Sequence, residues 1–300
     1  MKNYSVSVLL IISVLFFNIS DNISLNHESQ QQPVQLSDNL YRIDTGPVSS
    51  VILTGEDGTL IVDTSFDETG ENIKTGLEKL GAGDIKYIIN THWHHDHCLG
   101  NIEFGKDAVI ISHDNAKPLL TSPRRLEFFD EDYKALPKHA LPNLTFSRKM
   151  KLHVNEEEIE LIHFPNGHTN NDIIVYFKKA NVLHIGDMIF SDMFPFIDVE
   201  NGGNVEQLAE NLREIIEILP DDILVIPGHG RNYSSGDLRE YRNMLVSTYE
   251  IVKNEMEKGR SLEEMQEADI LKEWVKWENG HHPCSNWIRT IHYCITKSRK

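Results

Sequence analysis

The sequence predicts a mixed α/β fold. Short β-rich runs separated by turn signals fill most of the chain, one strongly amphipathic helix interrupts them, and the C-terminal end is helical throughout. Leu40–Ile43, Ser50–Leu53 and Leu60–Val62 read as strands, broken by Thr45-Gly46-Pro47 and by Gly55-Glu56-Asp57-Gly58, whose Asp-Gly pair signals a hairpin. Residues 69–80 have helical spacing and stop at Gly81. The run from Ile85 to Asn90 reads as a buried strand, and Val109–Ile111 as another.

The second half repeats the theme. Lys149–Val154 and Glu158–His163 alternate as strands, and Ile173–Phe177 and Val182–Ile185 follow. Val205, Leu208, Ala209, Leu212, Ile215, Ile216 and Leu219 then recur at helical spacing until Pro220, and Ile223–Ile226 is the last strand. From Asp237 a helix runs to about Lys258, with Gly259 as its stop. Ser261 and Glu264 form a capping box that opens the next helix. These elements divide the chain into a body over 38–236 and a helical extension over 237–300 packed on the same domain.

The N-terminal end has its own signature. A positive start at Lys2 is followed by a nearly unbroken apolar run from Val6 to Phe17, the pattern of a secretory signal peptide over residues 1–20. That run falls short of the roughly 20 residues a membrane span needs, so no stable membrane insertion is expected after cleavage. An uncleaved anchor or a buried N-terminal helix is the plainer alternative. Residues 21–37 are polar and read as a disordered leader. The expected location is periplasmic or secreted. Export would permit disulfides, yet the chain has only Cys98, Cys284 and Cys294. Within one helix Cys284 and Cys294 would stand about 15 Å apart, too far for a bridge that needs Cα atoms within about 7 Å.

Composition narrows the function. The 300 residues carry 46 acidic against 29 basic side chains, a formal charge of −17, which repels phosphate backbones and argues against nucleic acid as a partner. An apolar content of 40% is that of a folded protein. A small molecule is the expected partner, and the oligomeric state is left open.

The decisive stretch is Thr91-His92-Trp93-His94-His95-Asp96-His97. His92 and His94 lie two apart at the end of an extended run, so their side chains share one side. Imidazole and carboxylate suit Zn²⁺ and related divalent ions, which need three or four such groups converging. Four candidate ligands, His92, His94, Asp96 and His97, crowd one ion too closely. The spacing instead suggests two ions side by side, each completed by distant partners. Three Gly-preceded residues near strand ends fit that part: His168, Asp187 and His229. His95 alternates away from His94 and is read as rim. His113, His163 and His184 lie at or within strands and are read as packed or hydrogen-bonded. Cys98 is read as a small buried residue opening a helix.

This pattern resembles the metallo-β-lactamase-fold superfamily over roughly residues 38–235. The resemblance rests on Asp63 after a strand, the His-x-His-x-Asp-His run from His92 to His97, His168, Asp187 and His229. It implies an αββα sandwich with metals at one sheet edge. By that resemblance His92, His94 and His168 hold one zinc, Asp96, His97 and His229 hold a second, and Asp187 bridges them. Asp63 would support the loop that carries the histidines.

Two such ions about 3.5–4 Å apart share a water and lower its pKa from 15.7 toward 7. One also polarises a carbonyl, and Asp96 is the expected catalytic residue, orienting the nucleophile and taking its proton. The implied function is an exported dinuclear zinc hydrolase of an acyl bond, a β-lactam or related amide or ester. A thioester hydrolase resembling glyoxalase II shares the bridging Asp, which exported lactamases usually lack. Against it, such a substrate is cytosolic and residues 237–300 show no basic glutathione clamp. Lactonases share the metal pattern. An iron-dependent sulfur dioxygenase or a non-catalytic zinc-binding protein fits less well, because no ligand is missing. Two stretches are expected to shape the pocket. Phe190–Ile197 would line it, and the loop 121–148 would form a lid with Phe128 and Phe129, in which Arg124 or Arg125 holds a substrate carboxylate.

Overall fold

Strand alternation decides the architecture. In the computed structural model, which describes residues 32–46, 48–66, 70–278 and 282–298, successive residues of one strand enter different cores. Val51 and Leu53 of β3 (Ser49–Leu53) and Leu60 and Val62 of β4 (Thr59–Val62) point between two sheets, while Ile52 and Ile61 point outward. Both faces are therefore apolar and both must be covered.

The first sheet orders as β1 (Val34–Gln35), β2 (Leu40–Asp44), β3, β4, β5 (Ile85–Ile89), β6 (Val109–His113) and β9 (Leu144–Phe146). It is antiparallel from β1 to β4 and parallel from β4 to β9. Helix α1 (Gly70–Leu80) covers its outer face through Ile73, against Ile43, Ile52, Ile61 and Ile88. Short helices α2 (His95–Cys98) and α3 (Asn101–Phe104) follow β5, and α4 (Ala116–Leu120) follows β6. Between α4 and β9 lies a small hairpin of β7 (Arg124–Leu126) and β8 (Glu131–Tyr133).

The second sheet orders as β10 (Lys149–Val154), β11 (Glu157–His163), β12 (Ile173–Phe177), β13 (Val182–Phe190) and β14 (Leu224–His229). Only the last pair, β13 with β14, is parallel. Its outer face packs on α5 (Val205–Ile218), α6 (Ser235–Glu257), α7 (Leu262–Glu267) and α8 (Cys284–Ser298). Layer order is thus helix, sheet, sheet, helix, with the C-terminal helices joined to the core behind the second sheet. Capping boxes at Ser234/Asp237 and Ser261/Glu264 open α6 and α7.

Three expectations change. Val34–Gln35, assigned to the leader, forms β1 against Tyr41 and Arg42, because the edge of β2 offers open backbone hydrogen bonds to it. β13 runs five residues past Ile185, through a bulge where Gly186 takes φ +56. Cys98 closes the four-residue helix α2 rather than opening one, its thiol directed at the carbonyls of Trp93 and His94. All three cysteines are free and buried, with Cys284 and Cys294 both in α8. The signal-peptide reading and residues 21–31 of the leader fall outside the described residues. Among the described residues no helix is long and apolar enough to cross a membrane.

Candidate metal centre

The parallel strands β4, β5, β13 and β14 end, or carry their bulge, at one edge of the sandwich, so the side chains that follow them meet there. Two donor groups result. His92, His94, His168 and Asp187 form one, and Asp96, His97, Asp187 and His229 the other, the ligand atoms within each lying within 4.8 Å of one another. All seven residues singled out from the sequence are present, and Asp187 belongs to both groups. Its Oδ2 lies 3.8 Å from the Nε2 of His92 and of His168, and 3.2 Å from His229 Nε2. Its Oδ1 is 3.1 Å from His97 Nε2.

The backbone around these residues is built for close approach. Gly186 lies in the left-handed region, and a Cβ there would sit 2.7 Å from Thr91 Oγ1. A Cβ at Gly228 would collide with Asp187 Oδ1 itself. Asp63 also takes φ +58, an uncommon conformation for a residue with a side chain, and is fully buried. Three donors hold it there: Thr91 N at 2.8 Å, Thr91 Oγ1 at 2.7 Å and His97 Nδ1 at 2.7 Å.

The outer nitrogens settle what the inner ones offer. His97 Nδ1–H donates to Asp63, His168 Nδ1–H to the Phe196 carbonyl at 2.8 Å and His94 Nε2–H to Asp198 at 3.2 Å. His92 Nδ1–H donates to Thr91 Oγ1 at 3.1 Å, whose own hydrogen goes to Asp63. In neutral rings this leaves lone pairs on His92 Nε2, His94 Nδ1 and His168 Nε2, which face one another at 2.9–3.0 Å. His97 Nε2 and Asp187 Oδ1 are buried and make no hydrogen bond among the described residues. The three converging lone pairs of His92, His94 and His168, with no hydrogen between them, are what a cation satisfies, and the N/O donor sets of both groups fit a divalent metal.

The two groups differ in charge. Burial holds His92 well below its ordinary 6.5 and pushes His168 down to about 4, so both stay neutral. At His229 and His97 burial opposes protonation too, but the carboxylates of Asp187 and Asp96 outweigh it. His229 rises to about 10 and His97 well above 6.5. Asp187 and Asp96 are held well below the usual carboxylate range by those two imidazoles, against their own burial. A cation entering the second group must therefore displace protons that His92 and His168 of the first do not carry. Titration of metal-free protein with Zn²⁺ near pH 7.5, in buffers of different ionisation enthalpy, is expected to show greater proton release for one equivalent. That equivalent should weaken as pH falls; equal release by both would contradict the charge assignment.

A cavity of about 400 Å³ opens onto the metal edge, walled by Phe66, Tyr133, Phe190 and Phe196 beside the ligands. His95 lines it without joining either donor group, its Nε2 bonded to the Lys134 carbonyl at 3.0 Å. His113 and His163 stack at 3.6 Å, and His184 bonds the Ser49 carbonyl, all apart from the two groups. The arginine expectation fails. Arg124 lies over the Trp93 ring and donates to the Leu119 carbonyl, and Arg125 is ion-paired to Asp130 and Asp132, so neither lines the cavity. Both guanidiniums find partners closer along the chain than any substrate. The β7–β8 hairpin does border the site through Tyr133, whose ring is 5.7 Å from that of His94. Its tip is fastened by Phe129, whose ring lies tilted against Phe196 at 3.8 Å, and by Arg289 of α8, which donates to the Phe128 carbonyl.

Asp198 was not singled out from the sequence. It stands one residue beyond the apolar stretch read as pocket lining, and nothing in its spacing marks it.

Comparison with known proteins agrees with this geometry. The Metallo-beta-lactamase superfamily model matches residues 43–229. Metallo-beta-lactamase type 2 of Bacteroides fragilis is 22% identical over 263 residues, covering 81% of this chain and 96% of that protein. A probable hydroxyacylglutathione hydrolase, glo2, of Schizosaccharomyces pombe is 25% identical over 176 residues, 57% of each chain. The fold of the sec-alkylsulfatase Pisa1 from Pseudomonas sp. matches with a TM-score of 0.66 at 16% identity. That match covers 87% of this chain, which spans about half (49%) of the sulfatase.

Proposed function

This chain belongs to the metallo-beta-lactamase superfamily of metal-dependent hydrolases, and from that premise we propose that it is an exported dinuclear zinc hydrolase cleaving an acyl bond. The single observation that carries the dinuclear reading is the Asp187 carboxylate, shared between two complete donor groups. His92, His94 and His168 would hold one ion, Asp96, His97 and His229 the other, with Asp187 between them. Such a pair supplies a water acidic enough to serve as nucleophile near neutral pH and a Lewis acid for the carbonyl. The protein's own part is positioning and proton handling. Asp96, with about a fifth of its side chain open to the cavity, is the group placed to accept the proton of the attacking water. His229, stacked flat on Phe190 at 4.6 Å, is held in place beside it. The apolar run Val6–Phe17 supports export, and a mature N-terminus beyond residue 20 in the secreted protein would test it.

The cavity wall favours one kind of acyl bond. Apart from its histidines, every charged side chain lining the cavity is acidic: Asp96, Asp187, Glu131 and Asp132. Among the described residues no Lys or Arg reaches it, so a substrate carboxylate held away from the metals meets Glu131 rather than a cation. This favours uncharged esters or lactones over β-lactams and glutathione thioesters, both of which carry carboxylates. The zinc-loaded chain is expected to hydrolyse a neutral chromogenic ester with a kcat/KM about tenfold or more above that of its carboxylate-bearing analogue, ~1.4 kcal/mol of discrimination. Chelation should abolish both activities and Zn²⁺ restore them. Hydrolysis indifferent to chelation would end the metal reading, and preference for a cephalosporin or a glutathione thioester would reverse the substrate order.

A further inference from the structure

Asp198 is fully buried in the segment between β13 and α5. Its Oδ1 accepts from Asn201 N at 3.0 Å and caps the short turn Val199–Asn201. The Asn201 side-chain Nδ2 donates to both oxygens, at 3.0 Å to Oδ1 and 2.9 Å to Oδ2. Oδ2 also reaches beyond the turn, accepting from Trp93 Nε1 at 3.1 Å and from His94 Nε2 at 3.2 Å, across more than a hundred residues of sequence. A buried carboxylate is costly unless its partners compensate it, and a turn cap could have stayed at the surface.

His94 differs from His92 and His168 in one respect: it faces the donor cluster through Nδ1, while they face it through Nε2. That arrangement requires the hydrogen on Nε2, the atom that meets Asp198. We propose that Asp198 is the positioning residue of the first metal cluster, holding His94 in the Nε2–H form so that the Nδ1 lone pair points at the ion. The same segment holds a second ligand, since the Phe196 carbonyl accepts from His168 Nδ1. The C-terminal extension holds the segment in turn. Phe194 N donates to the Trp277 carbonyl at 2.8 Å, Phe194 stacks on Trp287 at 5.4 Å, and Lys297 Nζ reaches the Val199 carbonyl at 2.6 Å. Residues outside the superfamily match at 43–229 thus brace two ligands inside it.

This inference rests on the metal reading above, and the test separates the two. In metal-free, ¹⁵N-histidine-labelled full-length protein, long-range ¹H–¹⁵N spectra should show His94 carrying its hydrogen on Nε2. Asp198→Asn and Asp198→Ala should redistribute that tautomer and weaken one of two zinc equivalents by about 10–100-fold in competition with a chromophoric chelator, leaving the other unchanged. Folded variants that keep both equivalents at wild-type affinity would overturn the role of Asp198 and leave the metal centre standing. Hydrogen on Nδ1 of His94 in the wild type would overturn it even if neither variant folds. Wild-type protein that binds no zinc would remove the metal reading and this assignment together.

Discussion

Replacing Asp187 by alanine is expected to cost the chain both zinc equivalents and about a thousandfold or more in kcat/KM, a loss of ~4 kcal/mol in transition-state stabilisation. Among the described residues no other side chain belongs to both donor groups, so no other single change there removes a ligand from each. The hydrophobic cores are untouched, because Asp187 belongs to none of them. Metal analysis and kinetics on the folded variant check this, and retention of one full equivalent with substantial activity would show that the carboxylate is not shared. The variant should also alter the pH dependence of the metal-free fold. Pairing with Asp187 contributes stability fully between the ordinary carboxylate value of 3.8 and the ordinary imidazole value of 6.5. That contribution then fades as pH rises through about 10, the value for His229. Metal-free Asp187→Ala should show a smaller alkaline decline, the remainder coming from Asp96, which still pairs with His229 at 3.2 Å.

Gly228→Ala is expected to have the next largest effect while adding only a methyl group. Its Cβ would overlap the Asp187 carboxylate and come within 3.0 Å of His97 Cε1, so β14 cannot keep its place beside β13 without moving two ligands. An overpacked position of this kind costs about 1–3 kcal/mol, which in a domain of this size lowers Tm by roughly 2–4 °C per kcal/mol. Zinc affinity should fall with it. Gly83→Ala is the control, since no atom lies within 4 Å of its added carbon and its backbone is not left-handed. Equal melting and zinc titration for the two variants would refute the steric argument.

Much of the site was legible because its chemistry is local. Four of the seven donors fall within the six residues from His92 to His97, and the other three follow glycines that the close packing there requires. Strands such as Ser49–Leu53 and Thr59–Val62 announced themselves as apolar runs, since both faces of their sheet are covered. Asp198 was invisible for the opposite reason. Its partners Trp93 and His94 lie more than a hundred positions away, and a single Asp after an apolar stretch carries no periodicity. Arg124 and Arg125 misled because a cation in a loop reads as available, whereas here one lies over Trp93 and the other meets Asp130 and Asp132. The hairpin of Arg124–Leu126 and Glu131–Tyr133 has strands too short to show alternation.

The donor groups draw on both sheets. The run from His92 to His97 hangs from the first, while His168, Asp187 and His229 belong to the second. Any cation gripped between them therefore acts as a rivet through the sandwich, reinforcing halves otherwise joined by their oily interior and by scattered polar contacts such as His184 to the Ser49 carbonyl and Arg42 to the Gly230 carbonyl. Catalytic competence and mechanical integrity would then share one joint, and a cell that withholds the metal would be left with a slacker molecule as well as an idle one.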